Sequence, residues 1–277
     1  MIPSLGGLPR IDSASNPRIK ALVRLRRRRE RDRGGLTLVE GAREAIRAVQ
    51  AGWTIEAAYL TPELFSAEGP EAADAIVSAK VPTWIASRTA FERASLRQGP
   101  DGVLLVVRPP APSLHDLSLG QAALLLIVVG AEKPGNLGAL LRSADAAGAD
   151  ALIACGEGGT DAWNPAVIRS SMGSAFRVPF VSGDDASVRA WLAEHGVALV
   201  AAAPEAERSL WDASLRGPVA IALGAEHEGL SAAWLEAASQ RVRVPMDASR
   251  TADSLNVSVT GALFAFEALR QRRNGGA

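Results

Sequence analysis

Apolar and polar positions alternate along the chain in two long stretches divided by prolines. In the first, Ile19, Leu22, Val23 and Leu25 fall between arginines at helical spacing, and Asn16-Pro17 reads as a cap followed by proline in the first turn. This predicts a helix over 13–33. Apolar runs predict strands at 37–40, 55–60, 81–86 and 103–107, with helices at 42–51, 70–78 and from 89 between them. The result is a small α/β domain over residues 10–108. Pro109, Pro110 and Pro112 then favour an extended chain, so 109–120 reads as a linker.

The second stretch predicts strands at 122–129, 151–155, 178–181, 197–202, 218–223 and 241–244. Helices are expected at 138–147, 165–171, 186–195, 232–238 and 257–270. The strands are apolar on both faces and alternate with helices, which indicates a parallel sheet covered on both sides. The fold class is therefore α/β, with a smaller domain at 10–108 and a parallel-sheet domain at 121–277.

Charge changes this picture in one place. The chain of 277 residues carries 30 basic and 30 acidic side chains, a formal net charge of zero. No global field announces a nucleic-acid partner. Positive charge is nevertheless concentrated where Arg24, Arg26, Arg27, Arg28, Arg29, Arg31 and Arg33 follow one another. Such a run can neutralise phosphates and steer association with RNA; a solvated helix face gives the same pattern. The candidate RNA-binding residues are Arg24, Arg26, Arg27, Arg28 and Arg29.

Cys155, the single cysteine, excludes an intramolecular disulfide, and its apolar surroundings make it a buried strand thiol. His115, His195 and His227 match no metal-ligand spacing, so no metal is expected. No signal peptide is evident, and the apolar run at 122–129 is too short to span a bilayer. A soluble cytoplasmic protein without a membrane partner is the expectation.

In open α/β sheets ligands bind beyond the carboxyl ends of the strands, and three polar segments follow predicted strands. The first runs from Gly130 through Lys133 and Asn136 to Gly138, with Arg142 in the helix behind it. It has neither a G-x-G-x-x-G pattern nor a Walker loop. The second, Leu223 to Leu230, brackets Glu226 and Glu228 between Gly224 and Gly229. The third passes from Val244-Pro245-Met246 through a polar run to Ser254-Leu255-Asn256 at the head of the last helix. A helix cap accounts for one of Ser254 and Asn256, but the polar run is longer than a cap requires.

These segments, with Asn164-Pro165 and Arg169 to Phe176 between the first two, resemble in order and spacing the signature motifs of the SpoU (TrmH-like) RNA 2′-O-ribose methyltransferases of the SPOUT superfamily. The likeness covers nearly all of 121–273. Val244 stands where isoleucine is usual, and Thr260-Gly261 where alanines are frequent. Ser13 to Lys20 and Leu38 to Gly41 resemble, more loosely, the small substrate-binding domain that precedes many such enzymes. Over its whole length the chain is most similar to the ribosomal RNA methyltransferases of actinobacterial antibiotic producers, those of avilamycin resistance first and those of thiostrepton resistance second.

The resemblance implies a parallel sheet with a C-terminal trefoil knot, a homodimer, S-adenosylmethionine as methyl donor, and ribosomal RNA as substrate. It implies methylation of large-subunit RNA that confers resistance to a ribosome-targeting antibiotic. It makes Asn136, Arg142, Glu226, Ser254 and Asn256 catalytic, and gives Leu223, Gly224, Val244, Met246 and Leu255 to the donor. Arg142 matches the family's general base. A guanidinium is not normally deprotonated in proteins, and binding a phosphate or a developing alkoxide fits Arg142 equally well. Transfer RNA is an alternative substrate. A non-catalytic RNA-binding protein on this scaffold would be expected to lack Arg142 or Asn256, and a Rossmann-type enzyme would need the missing glycine fingerprint.

Overall fold

The computed structural model describes residues 5–130, 133–156, 161–225, 228–247, 249, 251 and 254–274. The chain divides into two compact units, Met1–Pro110 with Trp163–Phe176, and Ala111–Ala162 with Arg177–Ala277.

The first unit contains β1 (Arg10–Ile11), α1 (Pro17–Arg24), α2 (Arg28–Gly34), β2 (Thr37–Glu40), α3 (Ala42–Gln50), β3 (Thr54–Leu60), α4 (Gly69–Ser78), β4 (Thr83–Ala86), α5 (Arg88–Ala94) and β5 (Val103–Arg108). Its sheet runs β1-β4-β3-β5-β2, parallel on the β1-β4-β3 side and antiparallel on the other. Apolar side chains pack on both faces. Val39, Leu60, Leu105 and Val107 meet Ala45 and Ile76 of α3 and α4. Leu38, Tyr59, Leu104 and Val106 meet Ile19, Leu22 and Phe91 of α1 and α5.

The helix expected over 13–33 is two helices. Arg27 is extended, at φ −89° and ψ 129°, and separates α1 from α2. Arg31, 4% exposed, turns its guanidinium back to donate to the Leu25 and Arg26 carbonyls at 2.9 and 2.8 Å. Those carbonyls, left without helical partners by the break, are satisfied by a side chain instead.

Residues 163–176 belong to the first unit, although the sequence reading ran them with 121–277. Asn164 caps α7 (Pro165–Ser170) by accepting from the Ala166 amide at 2.9 Å. Trp163 and Phe176 both set their rings edge-on to Trp53, at 5.3 and 4.7 Å between centroids. The Thr37 hydroxyl donates to the Trp163 carbonyl at 2.6 Å. Aromatic burial of this kind outweighs continuity in sequence.

The second unit contains β6 (Leu124–Val129), α6 (Pro134–Ala147), β7 (Ala151–Cys155), β8 (Phe180–Ser182), α8 (Asp185–Glu194), β9 (Ala198–Ala202), β10 (Arg208–Ser209), β11 (Val219–Leu223), α9 (Ala232–Ala237), β12 (Gln240–Arg243) and α10 (Val257–Asn274). Its seven strands lie in the order β10-β12-β9-β11-β6-β7-β8, every neighbouring pair parallel. β6, β7 and β11 are buried throughout, as an all-parallel sheet requires. Burial pushes the Cys155 thiol up to about 12, so it stays protonated and inert. Residues expected to form a linker are structured: Leu114, Leu117 and Leu119 pack against this unit's core. Ser113 and Asp116 close a capping box around a short 3-10 helix, Leu114–Asp116.

Candidate active site

Three strand ends in the second unit are level. Ala202, the last residue of β9, pairs with Leu223 at the end of β11 and with Val242 near the end of β12. Because the strands are parallel, their exit loops leave from one edge and enclose a cavity of about 330 Å³. Such a volume suits a small organic ligand.

Each exit supplies a wall: Ala203, Pro204 and Glu205 after β9; Gly224, Ala225, Glu228 and Gly229 after β11; Arg243, Val244 and Met246 at β12. Ser254, Leu255 and the α10 residues Val257, Thr260 and Phe264 close it. Gly224 is required where it stands. A Cβ there would lie 2.2 Å from the Gly229 carbonyl carbon and 2.5 Å from the Leu230 nitrogen. The loop doubles back, and the Gly229 amide donates to the Ala225 carbonyl at 3.0 Å. Gly261 serves a second close approach: a Cβ would meet Leu140 at 2.3 Å and Leu223 at 2.8 Å. A glycine here thus lets α10 settle onto α6 and β11.

The floor is apolar, with Leu223, Val242, Val257 and Phe264 all buried. The mouth carries two exposed carboxylates, Glu205 and Glu228, and one guanidinium, Arg243. Met246 and Leu255 are each 39% exposed, apolar surface that a bound ligand would cover. The cavity can hold a flat neutral ring below and a charged group above.

Leu223, Gly224, Val244, Met246 and Leu255, which the sequence assigned to the donor, all line this cavity, as does Ser254. Asn256 stands at the head of α10, where its Oδ1 accepts from the Ser258 amide at 2.9 Å. Its Nδ2 donates to Oδ1 of Asn136, in the first turn of α6, at 3.1 Å. Arg142 is exposed on α6 and is not part of the cavity wall. Glu226 lies outside the described residues. The sequence reading missed Ala202 to Glu205. The signal was the end of an apolar strand, but nothing in the sequence places β9 beside β11.

The arginine run separates into different roles. Arg26 donates to the Arg93 carbonyl at 2.8 Å and to the Ser95 carbonyl, so it holds the end of α5. Arg28 lies 3.4 Å from Asp32. Arg24, Arg27 and Arg29 are exposed, and among the described residues no carboxylate pairs with them. Behind this surface Glu40 is 5% exposed and accepts from the Ser95 hydroxyl at 2.5 Å and the Leu96 amide at 2.6 Å. Burial raises its pKa against those hydrogen bonds. Among the described residues no cluster of three His, Cys, Asp or Glu could hold a metal ion.

Residues 123–266 match the SpoU rRNA Methylase family, and residues 16–105 match the MRM3-like substrate binding domain. A 23S rRNA (uridine(2479)-2′-O)-methyltransferase of Streptomyces viridochromogenes is 30% identical over 90% of this chain and 87% of its own. A crystal structure of an RNA 2′-O ribose methyltransferase is 46% identical, with a TM-score of 0.83 over 95% of this chain and 99% of that one. The SpoU methyltransferase AviRb from Streptomyces viridochromogenes, solved in complex with the cofactor AdoMet, is 29% identical, with a TM-score of 0.83 over 93% of this chain and 98% of that one. With its level strand ends, its doubled-back glycine loop and a family match over more than half its length, this chain belongs to the SpoU rRNA methylase family.

Proposed function

We propose that the protein transfers a methyl group from S-adenosylmethionine to a ribose 2′-hydroxyl of large-subunit ribosomal RNA. The observation that carries this reading is the cavity at the level ends of β9, β11 and β12, with the Asn136–Asn256 pair at the head of the helix that closes it. When bound, S-adenosylmethionine supplies an electrophilic methyl carbon on a sulfonium, whose sulfur leaves as a neutral thioether.

The cavity suits that donor. Leu223, Val242 and Val257 would enclose an adenine ring, and loop amides around Gly224 would be available to read its edge. Glu205 and Glu228 would attract the cationic part of the molecule, and Arg243 its carboxylate. In the reaction the ribose oxygen forms the new O–C bond as the S–C bond breaks, and the hydroxyl proton must leave. Ser254, Asn256 and Asn136 orient the nucleophile by hydrogen bonding. Glu226 belongs to the same group by its motif. Arg142 binds the adjoining phosphate and stabilises the developing alkoxide. The proton passes to solvent water, its loss eased by that charge, and no neutral guanidine is needed. Arg24, Arg27 and Arg29 of the first unit dock RNA phosphates.

The trefoil knot and the homodimer are part of this reading. β12, the last strand, lies beside β9, and the chain after it comes back to pack α10 on α6, a return consistent with threading. Val259 and Phe266, each 47% exposed, stand seven residues apart on α10, a spacing that puts both on one face for a second copy to cover. An RNA substrate of this class implies the cytoplasm, and no helix among the described residues is long and apolar enough to cross a membrane.

The test is to incubate the protein and methyl-labelled donor with separated ribosomal and transfer RNA, then map the modified ribose. Label in one 2′-O-methyl nucleotide of large-subunit RNA is expected. Label in transfer RNA alone, or on a base, overturns the assignment. The resistance role is read separately, by expressing the chain in a susceptible strain and measuring its tolerance of ribosome-targeting antibiotics.

A further inference from the structure

Tyr59 and Trp84 are register partners on the parallel strands β3 and β4, with ring planes 23° apart and centroids separated by 5.7 Å. Arg18 of α1 lies over the Trp84 ring, its guanidinium carbon 4.0 Å from the centroid. Its charge also acts on the Tyr59 hydroxyl, opposing the rise that burial gives that group's pKa. The guanidinium thus rests on one aromatic ring that is itself stacked with a second, and among the described residues no carboxylate pairs with it.

A carboxylate partner offsets the charge of a surface arginine, whereas a π-face leaves it uncompensated. Arg18 also occupies the first turn of α1, where the helix dipole already disfavours a cation, so its charge does not serve the helix. One face of the guanidinium is on Trp84, and the residue is exposed. A planar, positively charged group therefore lies exposed over the Trp84 ring. Lys20, Arg24, Arg27 and Arg29 are exposed on the same stretch of chain and add positive charge to it.

We propose that Arg18, seated on the Trp84 ring that stacks with Tyr59, is a stacking platform for an unpaired base of the substrate RNA. Guanidinium planes and aromatic rings are what single-stranded RNA stacks on, and phosphates flanking the stacked nucleotide would meet Arg24, Arg27 and Arg29. This rests on the reading of the protein as an RNA enzyme. It adds a base-dependent element to a surface that would otherwise sense phosphate alone.

The experiment compares two probes on the full chain, a labelled single-stranded RNA 12-mer and the same backbone made abasic. The wild type should bind the base-bearing probe about tenfold more tightly, the scale of one stacked base. Arg18→Lys keeps the charge and loses the plane, and should abolish most of that preference. Trp84→Leu should do the same if it folds. Replacing Arg24, Arg27 and Arg29 together with glutamine should weaken both probes and leave the preference intact. Full base preference in folded Arg18→Lys overturns the platform. Methyl transfer to ribosomal RNA is measured in parallel: its absence, with the base preference intact, defeats the enzymatic reading alone.

Discussion

Asn256 and Asn136 stand 120 residues apart in the chain and meet at 3.1 Å, Nδ2 of the first donating to Oδ1 of the second. Oδ1 of Asn256 also accepts from the Ser258 amide and hydroxyl, at 2.9 and 2.6 Å. One amide side chain therefore caps α10 and ties it to α6. Asn256→Asp keeps the capping oxygen and loses the donor. We expect it to unfold in urea within a few tenths of a kcal/mol of wild type, while Asn256→Ala loses about 1 kcal/mol. Single-turnover methylation should fall sharply in both. An active Asn256→Asp would reduce this residue to a cap.

Gly224→Ala tests the donor cavity with a single methyl group. That methyl would lie within 2.5 Å of the Gly229 and Leu230 backbone, so the loop must open. Affinity for S-adenosylmethionine, measured by calorimetry, should fall at least tenfold while far-UV circular dichroism is unchanged. Wild-type affinity in the folded variant would move the donor elsewhere.

The arginine run should divide under mutation. Arg26→Ala removes hydrogen bonds to two carbonyls at the end of α5 and should lower stability by about 1–3 kcal/mol. Arg24, Arg27 and Arg29 changed together to glutamine should leave the melting temperature within a few degrees. They should also reduce the slope of log affinity for RNA against log salt by up to about 3. A triple variant with an unchanged slope would show that this surface does not meet phosphates.

Glu40 gives a pH signature. Its folded pKa is raised by burial, so the folded chain holds that proton more tightly than the unfolded chain. The contribution to stability is complete below the unfolded value, near 4.5, and is lost as pH rises through the raised folded value. The stability of wild type relative to Glu40→Gln should therefore improve as pH falls from neutral to the unfolded value of 4.5. Urea unfolding of both proteins across that range measures it, and a difference that is flat or grows with pH contradicts the burial.

Much of the second unit is legible in the sequence, because a buried parallel strand must be apolar on both faces and β6, β7 and β11 are. The motif residues after β11 and β12 could be found by likeness to a family. Their convergence with Ala203 and Glu205 could not, since strand order depends on packing between elements distant in sequence. Arg26 and Arg31 show the opposite limit. In a run of like residues, nothing in the sequence distinguishes an arginine that binds backbone carbonyls inside the fold from one that faces water. Arg142 carries the strongest motif signal, yet it lies off the cavity wall of its own chain.

The ring of Trp53 has its partners at Trp163 and Phe176, and between them in the chain come β6, α6 and β7. A ribosome releases these parts in that order. Domains usually fold as they emerge, the first one first. Here the first unit cannot close its apolar flank when Pro110 appears; it waits for a segment made only after the opening strands of the second. A nascent chain stalled at the boundary would carry a nearly complete unit with one side bare, and that interval is where a chaperone would find it.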